Sequence, residues 1–130
     1  MSMEVIQLDS ILDSIKKLLG IQPEYTSFDE DIIIAINTSF ATLNQLGVGP
    51  EGGYMIEDNT QTWNDYITTT NLNMVKTYIY LKSRLLFDPP TGGVLDAIKN
   101  QLAELEFRLY VEVDPKVNGE TFKEGNEFTD

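Results

Sequence analysis

Five stretches of this 130-residue chain have the residue types and spacing of a chemical site, and each fails on a particular position. Gly47-Val48-Gly49-Pro50-Glu51-Gly52-Gly53 is glycine-rich enough for its backbone N–H groups to cradle a phosphate. It lacks the Gly-Lys-Ser/Thr ending, follows a helical pattern and sets an acid, Glu51, in its middle, so no nucleotide is expected there. Asp114, Asn118 and Gly119 imitate a calcium loop, but Lys116 takes a ligand position and Gly125 stands where the bidentate glutamate belongs. The carboxylates Asp29-Glu30-Asp31 could pair for acid–base work, yet a helix start accounts for them fully, because its dipole favours negative charge. Asn37-Thr38-Ser39 spells a glycosylation acceptor in the middle of a helical pattern. The N-terminus carries Glu4 and Asp9 where a secretory signal carries Lys or Arg, so that sequon is expected to stay unused. Lys76, Tyr78, Tyr80, Lys82 and Arg84 interleave cations with aromatics as a single-strand nucleic-acid groove does. Three cations do not outweigh a net charge of −12, and core packing with the lysine stems snorkelling to water is the expected role.

Absence of both cysteine and histidine removes disulfides, thiolate nucleophiles, Cys/His zinc sites and imidazole bases together. No catalytic, cofactor-binding or metal-ligating residue is assigned. What remains to be positioned is surface, and the apolar periodicity says which elements position it. Val5, Leu8, Ile11, Leu12, Ile15, Leu18 and Leu19 follow a helical rhythm that stops at Gly20 and Pro23, with Lys16 and Lys17 in the last turn where cations suit the dipole. Ser27 and Glu30 form a capping-box pattern ahead of a second helix, whose stripe is Phe28, Ile32, Ile36, Phe40, Leu43 and Leu46, broadened by Ile33 and Ile34 and closed by Gly47.

Residues 47–62 hold four glycines, Pro50 and the polar run Glu57-Asp58-Asn59-Thr60, which excludes regular helix. Tyr54, Met55 and Ile56 either pair there as a short strand or pack. The loop is expected to project from the bundle with these three as candidate interaction residues. Thr62 with Asp65 caps a short turn that pins Trp63 and Tyr66 to the core. Asn71 is placed to cap a helix from Leu72 to Phe87, with Val75, Tyr78, Ile79, Leu81, Leu85 and Leu86 covering more than half its circumference until Asp88-Pro89-Pro90 ends it. After Thr91-Gly92-Gly93, the stripe Val94 or Leu95, Ile98, Leu102, Leu105 and Leu109 marks a last helix. The spacing predicts an antiparallel hairpin in which Val75, Ile79 and Leu86 meet Ile98, Leu102 and Leu105.

From Glu112 no period continues. The chain therefore reads as mostly α: a small bundle of four to five helices with a long glycine-rich central loop and a flexible C-terminal arm. The expected division is a helical domain at 1–111 and an acidic arm at 112–130, mobile in the monomer and ordered on assembly, with Phe122 and Phe128 as candidate interaction residues. Charge is uneven: residues 1–71 hold two bases and eleven acids, residues 72–111 five and four, and the arm two and six. Unlike patches of this kind could bring copies of the chain together.

The run Ser27-Phe28-Asp29-Glu30-Asp31 into Ile32–Ile36, Leu46-Gly47-Val48-Gly49, Thr62-Trp63, Val75 through Lys82, the Phe87-Asp88-Pro89-Pro90 break and Glu106-Phe107-Arg108-Leu109 carry a further reading. Over about residues 5–111 the pattern resembles small tailed-bacteriophage head–tail connector proteins, also called head-completion or adaptor proteins. The resemblance implies a non-enzymatic helical bundle that assembles as a homo-oligomeric ring under the portal protein. It further implies a channel that DNA crosses without sequence-specific binding, docking of a tail or stopper protein, and a place in the virion after synthesis in the bacterial host cytoplasm. No membrane partner or cofactor is implied. The alternative is an acidic helical protein that mimics DNA and blocks a nucleic-acid-binding partner; the near-neutral balance of residues 72–111 argues against it.

Overall fold

A computed structural model describes residues 10–66 and 72–113. Five helices form among them: α1 (Ile11–Leu18), α2 (Asp29–Gln45), the single turn α3 (Trp63–Tyr66), α4 (Leu72–Phe87) and α5 (Gly92–Val113). No strand forms among the described residues, where the pairing of Ser10 with Thr62 is an isolated bridge, so Tyr54-Met55-Ile56 packs instead of pairing.

α1 starts where Ser10 accepts a hydrogen bond from the Asp13 N–H at 3.2 Å, and it stops at Gly20, whose φ of 84° lies in the left-handed region. The start of α2 differs from expectation. Its cap is Phe28, with no side-chain hydrogen bond, and the Ser27/Glu30 box does not form. The reason is the turn ahead of it: the Asp29 N–H bonds to the Thr26 carbonyl, and the Phe28 ring is held 5.5 Å from Tyr25 and 5.3 Å from Phe87. A reciprocal box does form at α3, where Asp65 N–H donates to the Thr62 hydroxyl and Thr62 N–H to the Asp65 carboxylate.

α4 is the central strut. It packs chiefly on α2, pairs with α5 on its other side and touches α1. The α4–α5 hairpin is antiparallel, as the short connection 88–91 requires, and the Tyr78 hydroxyl donates to Glu106 at 2.8 Å across it. Ile11, Leu12 and Ile15 from α1, Ile32, Ile36, Phe40 and Leu43 from α2, Val75, Tyr78 and Ile79 from α4, and Ile98, Leu102, Leu105 and Leu109 from α5 form one buried cluster. Each such side chain contributes ~1.5–3 kcal/mol by leaving water. Val48, Ile56, Trp63 and Tyr66 complete the cluster from the long connection.

The expected stripes are corrected at Leu18, Phe28, Ile34 and Leu86, which are 53%, 40%, 61% and 50% exposed and stand outside the core, and at the start of the last stripe, where Val94 is 53% exposed. Leu86 stands seven residues after the buried Ile79 and shares its face, but at that end of α4 the Phe28 ring packs on Phe87 and an open groove separates Leu86 from α2. Helix α5 runs through Val113, two residues past the boundary expected at 111. Val5, Leu8, Asn71, Phe122 and Phe128 lie outside the described residues.

Candidate interaction surfaces

The connections that frame the surface are tied down by single polar side chains reaching across the fold. Lys16 stands in the last turn of α1 as expected but is wholly buried, and its ammonium donates to the Pro23 carbonyl at 2.9 Å and the Tyr25 carbonyl at 2.8 Å while pairing with Asp29 at 2.7 Å. Two hydrogen bonds to carbonyls and the charge of the adjacent carboxylate are what make a buried ammonium tolerable. Asn37, a mid-helix residue of α2, does the same for the long loop. Its carboxamide oxygen accepts from the Ile56 N–H at 2.8 Å and its nitrogen donates to the Ile56 carbonyl at 3.0 Å. One side chain thus supplies both bonds that a neighbouring strand would have made.

Held this way, the loop lies against the bundle and does not project from it. Ile56 is buried, and Tyr54 meets Phe40 edge-on and Tyr66 at a tilt, with ring centroids 5.3 Å away in each case. Gly49 closes over this aromatic group with φ 94°, and a Cβ there would stand 2.6 Å from the Tyr66 ring, so glycine is required twice over. Burial pushes the Tyr66 hydroxyl's pKa up, and that hydroxyl has no hydrogen-bond partner among the described residues. Of the three loop residues expected to make contacts, only Met55 is well exposed, at 67%. Trp63 is pinned as expected, donating to the Ser14 hydroxyl at 3.1 Å, with the Lys76 ammonium 5.3 Å from its ring centre.

Three surface features remain. A cleft of about 670 Å³ is lined by six acids, Asp13, Asp29, Glu30, Asp31, Glu57 and Asp58. Within it burial raises the Asp13 carboxyl, opposed by the Asn59 amide and Lys16, whereas the Thr60 hydroxyl and N–H hold Asp58 below the usual range. An open groove of about 420 Å³ between α2 and α4 is lined by Phe28, Asp31, Ile34, Ala35, Thr38, Leu86 and Phe87. The outer face of α5 carries Phe107, which is 68% exposed, with Val111 one turn on. Among the described residues no group of histidine, cysteine or carboxylate side chains is arranged to hold a metal. The arrangement offers recognition surfaces: one strongly acidic, two apolar.

Over residues 11–116 the chain matches the family model described as phage connector protein. The chain belongs to the phage connector protein family. No curated protein matches it, and no solved structure does. Membership assigns a structural role as a head–tail connector in the phage particle. The motifs behind the sequence resemblance have physical causes in this connector. Phe87 packs edge-on against Phe28, and the Asp88 N–H closes the last turn of α4 on the Arg84 carbonyl before the two prolines stop it. In Glu106-Phe107-Arg108-Leu109, Glu106 receives the Tyr78 hydroxyl, Leu109 is fully buried and Arg108 pairs with Glu104 at 2.8 Å on the surface. Phe107 is 68% exposed and packs on none of the core among the described residues.

Sequence reasoning missed Lys16, Asn37 and the groove around Leu86. The first two bond to backbone carbonyls and an N–H that no spacing rule locates. Phe107 did leave a signal: at 100° per residue it stands roughly half a turn round α5 from Ile98, Leu105 and Leu109.

Proposed function

We propose that this connector assembles as a homo-oligomeric ring beneath the portal protein, extending the channel that DNA crosses and presenting a platform to a tail or stopper protein. Membership of the phage connector family over residues 11–116 carries the reading. Exposed apolar positions on both sides of the bundle support it, because a groove at Leu86 and a ridge at Phe107 are what a protein built to be covered by neighbours leaves bare. The acidic surface suits a channel wall past which DNA slides without being held. None of the described helices is long and apolar enough to cross a membrane.

In this reading Met55 is a contact residue at the loop tip, with Tyr54 and Ile56 fixing its position from beneath. The helical part and an arm from about residue 112 remain separate in role, with Phe122 and Phe128 serving assembly or portal binding. Mass photometry of the chain alone and with a cognate portal ring tests the proposal. A discrete ring on the portal is the expected result. Failure to bind the portal at micromolar concentration, or stoichiometric binding of a nuclease or repressor in place of portal, would overturn it.

A further inference from the structure

The groove and the ridge cannot serve each other within one molecule. The groove opens between α2 and α4, lined by Phe28, Ile34 and Leu86, whereas Phe107 points away from α4, because the opposite stripe of α5, Ile98 through Leu109, is the one buried on it. From these placements we infer that the ridge of α5 around Phe107 in one copy seats in the α2/α4 groove of a second copy, with Phe107 against Leu86. The inference rests on the homo-oligomer reading and specifies its contact.

Three observations select a second copy as occupant. Leu86 continues the face of Val75 and Ile79, so the groove is an extension of the core stripe that lacks only a covering helix, and α5 is a helix with an uncovered apolar face. The charges also match. Asp31 lies in the groove wall, beside Glu30 at the acidic start of α2, and Lys82 stands one turn before Leu86 on α4. On the ridge, Arg108 adjoins Phe107 and Glu104 lies one turn before it, so a seated ridge can trade its own Arg108–Glu104 pair for Arg108 with Asp31 and Glu104 with Lys82. Finally, the two patches occupy different places on the molecule. Their contact is therefore heterologous, and such contacts propagate until a rotation closes them into a ring.

The chain has no cysteine, which makes the test specific. Leu86→Cys and Phe107→Cys are prepared separately and together, and oxidised at concentrations where the wild-type protein sediments as an oligomer. Each single variant is expected to stay uncross-linked, a mixture of the two to give a covalent dimer, and the double variant to give a ladder of covalent oligomers. Phe107→Asp should weaken association at least about tenfold, as loss of a central aromatic anchor does. Asp31→Arg and Arg108→Asp should each weaken it, and mixing those two variants should recover part of the loss.

Cross-linking of Leu86→Cys to itself, or no adduct in the mixture while the protein still oligomerises, would overturn the contact and leave the homo-oligomer reading standing. A wild-type chain that stays monomeric both alone and on the portal would overturn both. Cross-linked monomer from the double variant at high dilution would place the ridge in its own groove and refute the inference. Faster alkylation of Leu86→Cys after removal of residues 114–130 would make that segment the occupant, with the same consequence.

Discussion

The two halves of this connector are held together differently. Residues 10–66 contain α1, the long helix α2 and the single turn α3 with two connections between them, and the connections are fastened by Lys16 and Asn37, whose bonds go to backbone atoms seven, nine and nineteen positions along the chain. Residues 72–113 are a hairpin of two long helices joined by apolar stripes, with a cross-helix hydrogen bond from Tyr78 to Glu106. A polar fastening fails as a unit when one partner is removed, whereas an apolar stripe loses stability one side chain at a time. The first half is therefore the rigid, specific frame. The second is a strut with one face committed to the core and the other left for contact.

Substitution can break this comparison, and the largest loss is expected at the first fastening. Lys16→Met removes the ammonium from two carbonyls and Asp29, and should cost about 3 kcal/mol, the low end for a broken buried pair because Asp29 is 26% exposed and can rehydrate. Urea unfolding measures it, and a loss under about 1 kcal/mol would show that the 20–28 connection does not depend on Lys16. Leu102→Ala should cost about 2–3 kcal/mol by the same measurement, since it empties one position of the α5 stripe. A change below about 0.5 kcal/mol is what a surface site gives and would remove Leu102 from the core.

Sequence made the second half more legible than the first, for a physical reason. Stripes such as Ile98, Leu102, Leu105 and Leu109 are local and periodic, so the helices and their antiparallel pairing are readable from spacing. Asn37 reads as a mid-helix polar residue because its partner, Ile56, is nineteen positions away and recognised through backbone atoms, which every residue possesses. Lys16 reads as a favourable last-turn cation for the same reason. Ser27 misleads because the residues ahead of α2 form a turn that brings Phe28, not Ser27, to the cap. At Leu86 the period is read correctly, but exposure depends on whether the neighbouring helix closes on it, and one stripe cannot say that. Of the candidate contact residues in the long loop, aromatic and aliphatic character marked all three, while the Asn37 bonds and the aromatic contacts decide that Met55 alone faces out.

A smaller effect sharpens the account of the loop. Asn37→Ala leaves the Ile56 N–H and carbonyl without their partner and should cost about 1–2 kcal/mol, with faster amide exchange confined to residues 48–62. Exchange that quickens equally in α4 and α5 would mean the side chain supports the whole bundle. Smallest of all, Phe107→Ala should change the stability of the monomer by no more than about 0.5 kcal/mol despite removing an aromatic ring. A larger loss would place Phe107 in the fold of its own chain.

Amide exchange on the free chain and on the portal-bound assembly addresses the central claim most directly: that the long loop is fully fastened in the monomer, whereas the α2/α4 groove and the outer face of α5 are completed only by a neighbour. The account predicts strong new protection in α5 around Phe107 and at the α2/α4 groove around Ile34 and Leu86, with the Ile56 amide, already bonded to Asn37, unchanged. New protection confined to residues 48–62, with α5 exchanging as it does in the free chain, would contradict it.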